Sequence, residues 1–528
     1  MKLRDKNPLK KLSFSPRANA QWVIVSITAV VCGWWLLKTG RGQTFFFDEW
    51  DFLAHRFFNV EDILRPHNGH FSALPVVVFI IFRNVWGVSS YVPFQVIGIL
   101  VHLSVCTGVY VLLARRSKSI AYGSFLVVAL LGSGWQNILW PFQIGMMGAL
   151  SFGIWSLVEI DRKDTSATRL SILVGLALMS AGGGVAVALV FFAVIVWRRK
   201  VLDIVKVAIP ICLYGLWYLK YGANQSTPGN IGLTPQFVLD SARTAAAGIG
   251  GRTTYFGAFI LGGILVTLVL SFWKVERKIT VLAAMGIILL TWVMTGVSRA
   301  QLGEPGASRY VYIGAIMLIV VWGLLINSPS RWFVVLALLA TPFLIQGNMK
   351  VMRAGAGGLF DTSIHVKARF AAVEIVGNSE VVGYRADPSR VPQINSSEYL
   401  ALVKNYGSPA YTTSQVATLP DLIRAEVDRV IMEMTPTVRL VTWAVDRSCP
   451  NKASKLLQDI SIPVGQKIKI VTDRTLLLGF RWFADQPIEG TSILLSEAGT
   501  YEISNLRSLR SPVLRLYGVD LVDVCASP

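Results

Sequence analysis

This 528-residue chain has little charge: 15% of its residues are Asp, Glu, Lys or Arg, against 53% hydrophobic residues and sixteen Trp. With a mean hydropathy of +0.53, that exceeds what one soluble core can hide and excludes an ordinary water-soluble globule. Negative charge is scarcest, with thirteen carboxylates in residues 1–349. Cysteine is sparse too, at five residues, which excludes a disulfide-built scaffold. The glycines of SAGGGVAV at 180–187 are not followed by the Lys and Ser/Thr of a phosphate loop. Close helix packing or a helix break accounts for them better.

What is present is a series of apolar runs. Crossing roughly 30 Å of hydrocarbon takes about 20 residues. Such runs lie near 20–38, 91–113, 119–135, 143–159, 170–181, 183–197, 203–219, 256–273, 279–297, 310–326 and 331–347. They predict a polytopic α-helical membrane protein with about eleven transmembrane helices. Basic clusters recur in every second connection: Arg115, Arg116 and Lys118; Arg162, Lys163 and Arg169; Arg198, Arg199 and Lys200; Lys274, Arg277 and Lys278; Arg331. Short cytoplasmic loops accumulate such residues, so these face inside together with the basic N-terminus, which shows no cleavable signal pattern. The alternation holds when residues 69–88 form an interfacial helix on the outer face. The loop following the first span, the turn around Arg299 to Arg309, and everything after residue 349 then face outside.

The formal charge of +19 resembles a nucleic-acid signal but is not one. Residues 350–528 nearly balance, so a surplus of about +17 belongs to the membrane half, where orientation explains it and no nucleic-acid partner is implied. From residue 350 the composition becomes that of a soluble α+β domain. Residues 350–436 read as mixed helical, and residues 437–528 as short strands separated by Gly, Pro, Asp and Asn turns, a small β-sandwich or jelly roll. Cys32, Cys106 and Cys212 lie in apolar segments as inert core residues. Cys449 and Cys525 bracket the strand-rich module, and an oxidising exterior lets them form a disulfide.

The rare chemistry gathers at residues 45–75, FFFDEWDFLAHRFFNVEDILRPHNGHFSALP. This stretch holds Asp48, Glu49, Asp51, Glu61 and Asp62, and also His55, His67 and His70. Ionisable groups beside hydrocarbon are expensive and mark function by default. The competing reading is that the acids solvate the loop or pair with Arg56 and Arg65. His67, Asn68 and His70 suit sugar hydroxyls or a phosphate, although Asn-Gly is also an ordinary turn. Imidazole and carboxylate suit a metal, but no tight ligand pair on one helix face supports one, and neither metal nor other cofactor is expected. VSRAQLGEPGASRYVYIG places Arg299, Arg309 and Tyr310 outside, against the orientation bias. Guanidinium forks fit phosphate; headgroup anchoring is the other reading of the same residues. WQNILWPFQIG, 135–145, reads as part of an aromatic belt.

The order of these features resembles the GT-C superfamily of polyprenyl-phosphate-dependent glycosyltransferases, in its protein mannosyltransferase and aminoarabinose transferase branch. The matching stretches are Asp48-Glu49-Trp50, HNGHFSALP at 67–75, VWGVSS and VYVLLARRSK. The likeness covers residues 1 to about 220 and, more loosely, 298–312. The family's double proline is replaced by Asn68-Gly69-His70, and the WWDYG-type signature of oligosaccharyltransferases is absent. The resemblance implies a GT-C-like membrane domain over 1–349 with a catalytic first outer loop at 39–90. It implies an inverting hexosyl- or pentosyltransferase of the plasma (inner) membrane, with Asp48 as the base and Glu49 and Asp51 beside it. A polyprenyl-phosphate sugar is the implied donor, and a cell-envelope glycan, lipid or protein the implied acceptor, positioned by the C-terminal domain. A transporter or flippase of lipid-linked sugars would need charge at the membrane midplane and internal repeats. A non-catalytic surface glycan-binding scaffold would leave the acidic loop unexplained.

Overall fold

The computed structural model describes residues 16–222, 229–251, 254–326, 329–377, 381, 383–435, 438–442, 452–453, 459–462, 467–504, 512–517 and 522–527. Among them, eight helices are long and apolar enough to cross a membrane. They are Ala20–Thr39, Val92–Ala114, Pro141–Ile160, Val201–Tyr221, Tyr255–Lys274, Lys278–Leu302, Ser308–Leu325 and Arg331–Val376. The chain is a multi-pass helical membrane protein with a C-terminal β domain.

Three of the expected spans form helices shorter than the eight. The runs at 119–135, 170–181 and 183–197 form the helices Lys118–Ala129, Ala167–Leu178 and Gly183–Trp197. A 12-residue helix reaches only about 18 Å. The reason for the break at residues 179–182 is local. A side chain on Gly184 would begin 2.0 Å from the Ala177 carbonyl oxygen, so only glycine lets the chain turn this tightly between two helices. Conversely, the 20-residue helix Asn230–Ile249 is absent from the sequence reading because Pro235, Asp240 and Arg243 interrupt its apolar run. Its buried face is Phe237, Ala242, Ala245, Ala246 and Ile249, turned to helices Thr254–Ser271, Lys278–Arg299 and Ser308–Leu325.

The chain divides into two compact units. One comprises the described parts of Met1–Arg41, Asn59–Val77 and Phe94–Gly357; the other, those of Gly42–Phe58, Val78–Pro93 and Gly358–Pro528. The compositional change at residue 350 therefore does not coincide with a backbone break, because it falls inside the 46-residue helix Arg331–Val376. The loop after the first span is likewise shared. Its acidic part, Gly42–Phe58, belongs with the C-terminal residues, and its histidine part, Asn59–Val77, with the helices.

In the second unit, helices Ser396–Tyr406 and Asp421–Met434 precede nine strands among the described residues. These are β1 Val438–Thr442, β2 Lys452–Ala453, β3 Asp459–Ser461, β4 Lys467–Thr472, β5 Leu476–Arg481, β6 Ser492–Leu495, β7 Gly499–Ser504, β8 Val513–Tyr517 and β9 Val522–Ser527. They form two antiparallel sheets, ordered β1-β7-β4-β9-β2 and β3-β8-β5-β6. Alternate residues such as Ile468 and Ile470, Leu476, Leu478 and Phe480, and Leu514 and Leu516 are buried, the period of two expected of half-buried strands. Cys449 lies outside the described residues and only the backbone of Cys525 is described, so their pairing lies outside the described residues as well.

Helix Asp421–Met434 is tied to the end of β5 by one carboxylate. Asp428, 1% exposed, accepts the backbone N–H groups of Trp482 at 2.9 Å, Phe483 at 2.9 Å and Ala484 at 3.0 Å. Removing it strands three donors in a buried place. Asp428→Ala is expected to lower the stability of this module by about 3 kcal/mol or more. Limited proteolysis of the full-length protein should show earlier cleavage within residues 436–528, and an unchanged cleavage profile would contradict this role.

Candidate active site

The acidic turn is built around an aromatic anchor. Trp50, fully buried, meets Phe45, Phe370 and Tyr399 edge-on at 5.9, 5.1 and 5.7 Å. Its Nε1 donates to the Phe45 carbonyl at 3.1 Å. Phe370 and Tyr399 stack at 3.9 Å, and the Tyr399 hydroxyl donates to Glu374 at 2.6 Å. Aromatic contacts of this kind add about 0.5–1.5 kcal/mol each beyond burial. The residue before the acids, Phe47, has φ of +47°, a backbone region that bulky side chains rarely occupy. Its N–H donates to the Arg390 carbonyl at 2.8 Å.

The three carboxylates on this turn have different surroundings. Glu49 is fully buried, accepting from the Phe46 N–H at 3.0 Å and the Tyr91 hydroxyl at 2.9 Å. Asp51 meets the buried Arg56 guanidinium at 3.1 and 3.2 Å, and His55 lies between Asp51 at 3.6 Å and Glu398 at 3.4 Å. Asp48 is half-buried and accepts from Gln393 Nε2 at 2.9 Å. The opposite atom of that amide, Gln393 Oε1, is buried with no partner among the described residues. Of the remaining loop acids, Asp62 receives the Asn59 side chain at 2.7 Å and its own N–H bonds to Asn59, closing the cap of helix Val60–Leu64.

The basic residues belong to the helical unit. His67 and His70 exchange backbone hydrogen bonds at 3.0 and 2.9 Å across Asn68 and Gly69, whose φ angles are +48° and +75°. This is the two-residue turn for which Asn-Gly is best suited. Burial lowers the pKa of His70, and the charges of Arg299 and His67 lower it further. Gly182 leaves room for that ring, since a side chain there would begin 2.9 Å from His70 Nδ1. Arg299 donates to the Tyr310 hydroxyl at 3.3 Å, and Arg309 lies 5.0 Å from the centre of the Tyr310 ring. Gln136 fixes Arg309 from behind: its N–H donates to Ser308 Oγ at 3.1 Å, and its Oε1 accepts the Arg309 N–H at 3.3 Å. Part of WQNILWPFQIG thus holds the start of a helix rather than only lining a membrane surface.

No family model matches this sequence, and no curated protein matches it. Its fold is similar to a solved structure, the crystal structure of ArnT from Cupriavidus metallidurans bound to undecaprenyl phosphate. The two are 13% identical with a TM-score of 0.48, and the likeness covers 75% of this chain and 86% of that one. So distant a likeness carries neither ligand nor chemistry across. Among the described residues, no group of three or more His, Cys, Asp or Glu side chains is arranged to hold a metal ion.

Sequence reading brings out the acids, histidines and arginines but passes over Gln393, Tyr399, Glu398 and Gln136. Gln393 lies 345 residues from Asp48, and a lone Gln in a polar stretch carries no local signal. His55 offers a check on the local geometry. Its hydrogen bond to Asp51 raises its pKa above 6.5, burial opposes the rise, and the charge of Glu398 adds to it. A raised imidazole pKa contributes stability that is complete below the unfolded value of about 6.5 and is lost as pH rises through the folded value. His55→Gln is therefore expected to lower Tm at pH 6 and to lower it progressively less as pH rises past the folded pKa. A Tm difference independent of pH between 5.5 and 8.5 would contradict the contact.

Proposed function

We propose that this protein is an integral membrane glycosyltransferase of the GT-C type, which takes a sugar from a polyprenyl-phosphate donor at the outer face of the membrane. The acceptor is a cell-envelope glycan, lipid or protein. The observation that carries this reading is the unequal treatment of three neighbouring carboxylates in the acidic turn. Glu49 is sealed into the fold, the half-exposed Asp51 is engaged by an arginine, and the half-exposed Asp48 accepts from the Gln393 amide. A base must be reachable and fixed in place, and the half-exposed Asp48, first acid after the first span and held by Gln393, is assigned that role.

In the proposed reaction an acceptor hydroxyl attacks the anomeric carbon from the face opposite the phosphate. Its proton passes to the Asp48 carboxylate. The bond from anomeric carbon to phosphate oxygen breaks, and its electron pair leaves with the polyprenyl phosphate. Arg299 and Arg309 are assigned to the phosphate, which planar forked donors suit better than an ammonium does. His67, Asn68 and His70 are assigned to sugar hydroxyls or a phosphate oxygen. The alternation of basic loops supports the outer-face reading of the donor site.

Asp48→Asn preserves shape but cannot accept the proton, so transfer should fall by about 100-fold to 10,000-fold with folding and membrane insertion intact. Arg299→Lys or Arg309→Lys should instead weaken donor binding by about 10-fold to 150-fold, the loss of one charge-assisted hydrogen bond. Both effects are measured on purified protein, as transfer rate and as donor-lipid affinity. Normal turnover in Asp48→Asn would overturn the assignment of the base. Unchanged donor affinity in both arginine variants would reduce those residues to headgroup anchors.

A further inference from the structure

Four arginines from three helix ends of the helical unit converge on one short stretch of backbone. Arg115 Nη1 donates to the Val158 carbonyl at 3.3 Å and to Asp161 Oδ2 at 3.0 Å. Arg116 reaches both oxygens of Asp161, at 2.8 and 3.2 Å. Arg198 Nη2 donates to the Ile160 carbonyl at 3.3 Å, and Arg277 donates to the Asp161 carbonyl. Thr280 adds a bond to Asp161 Oδ1 at 3.1 Å. Asp161 itself is 2% exposed and so is enclosed by its donors.

The charges do not balance. Next to Asp161, Glu159 holds Arg162 at 3.4 Å and Arg169 at 3.0 Å, and Asp203 acts on Arg198. Six guanidiniums thus face three carboxylates, while Lys163 and Asp164 in the same loop offset each other. Arg115 remains one-third exposed, and Arg198 and Arg277 are only half-buried, so the cluster is not sealed from the surface. Guanidiniums gathered this closely repel one another unless an anion joins them.

The chain next to the cluster is apolar and exposed. Trp197 and Trp273 are each 77% exposed, Val201 75% and Leu202 67%, and Lys278 lies 5.2 Å from the Trp273 ring. Tryptophan beside basic residues at helix ends is the composition of a membrane-water boundary. Free phosphate offers the same charge but nothing to cover these side chains, whereas a lipid offers both headgroup and acyl chain.

We propose that this cluster binds the phosphate of an anionic membrane lipid at the end of the bundle opposite the candidate active site residues Arg299 and Arg309. That end is the cytoplasmic one by the alternation of basic loops, and basic clusters between helices there recognise anionic headgroups. The site depends on this orientation but not on the chemistry assigned to Asp48, so the two can fail separately.

The test uses the full-length protein in nanodiscs of phosphatidylcholine with or without phosphatidylglycerol, with lipid retention read by native mass spectrometry. Wild type should retain phosphatidylglycerol in preference to phosphatidylcholine. Arg198→Gln and Arg277→Gln should each weaken that preference about fivefold, and Arg277→Lys should keep most of it. Equal retention of phosphatidylglycerol by wild type and both glutamine variants would overturn the proposal. So would displacement of the lipid by millimolar inorganic phosphate, which would make this a site for the free anion.

Discussion

A carboxylate beside hydrocarbon has to be surrounded by donors, paired with a cation, or placed where water and substrate reach it, because leaving its charge bare costs several kcal/mol. That constraint governs where this chain puts its few acids. Asp161 and Glu159 are enclosed by arginines at the basic helix ends. Glu49 disappears into the fold with a backbone N–H and a tyrosine hydroxyl. Asp428 spends its charge on three backbone donors and so fastens a helix to a sheet. Asp48, half-exposed, accepts from the Gln393 amide.

The same constraint makes the acidic loop legible in sequence, since Asp48, Glu49 and Asp51 stand out against a nearly uncharged background. Strand alternation in KIKIVT and LLLGFR is similarly visible and is observed as β4 and β5. Other elements hide for definite reasons. Helix Asn230–Ile249 contains a proline and two charges, and burial against three other helices rather than apolar continuity stabilises it. The runs at 119–135 and 170–181 look like spans but stop early, the second where a glycine must pass within contact of a carbonyl. Residue 350 marks a change of solvent in the composition while the helix simply continues.

The site was legible by residue type and not by environment. Arg56, five residues on, is a local partner of Asp51, but Tyr91 and Gln393, which set Glu49 and Asp48 apart, come from distant parts of the chain. The fixed position of the turn likewise depends on Phe370 and Tyr399, more than 300 residues beyond Trp50. Such partners become visible once the fold assembles them, because a single Gln or Tyr in a loop has no pattern of its own.

The central claim is that the chain forms a glycosidic bond rather than moving a lipid-linked sugar across the bilayer. The most direct measurement supplies purified protein in proteoliposomes with an isotope-labelled polyprenyl-phosphate sugar and the envelope fraction of a strain lacking the protein, and follows the label by mass spectrometry. Glycosyl transfer predicts labelled sugar covalently attached to an envelope component, with polyprenyl phosphate released in equal amount. Labelled lipid-linked sugar appearing intact on the opposite leaflet, with no glycosidic product and no released polyprenyl phosphate, would contradict it.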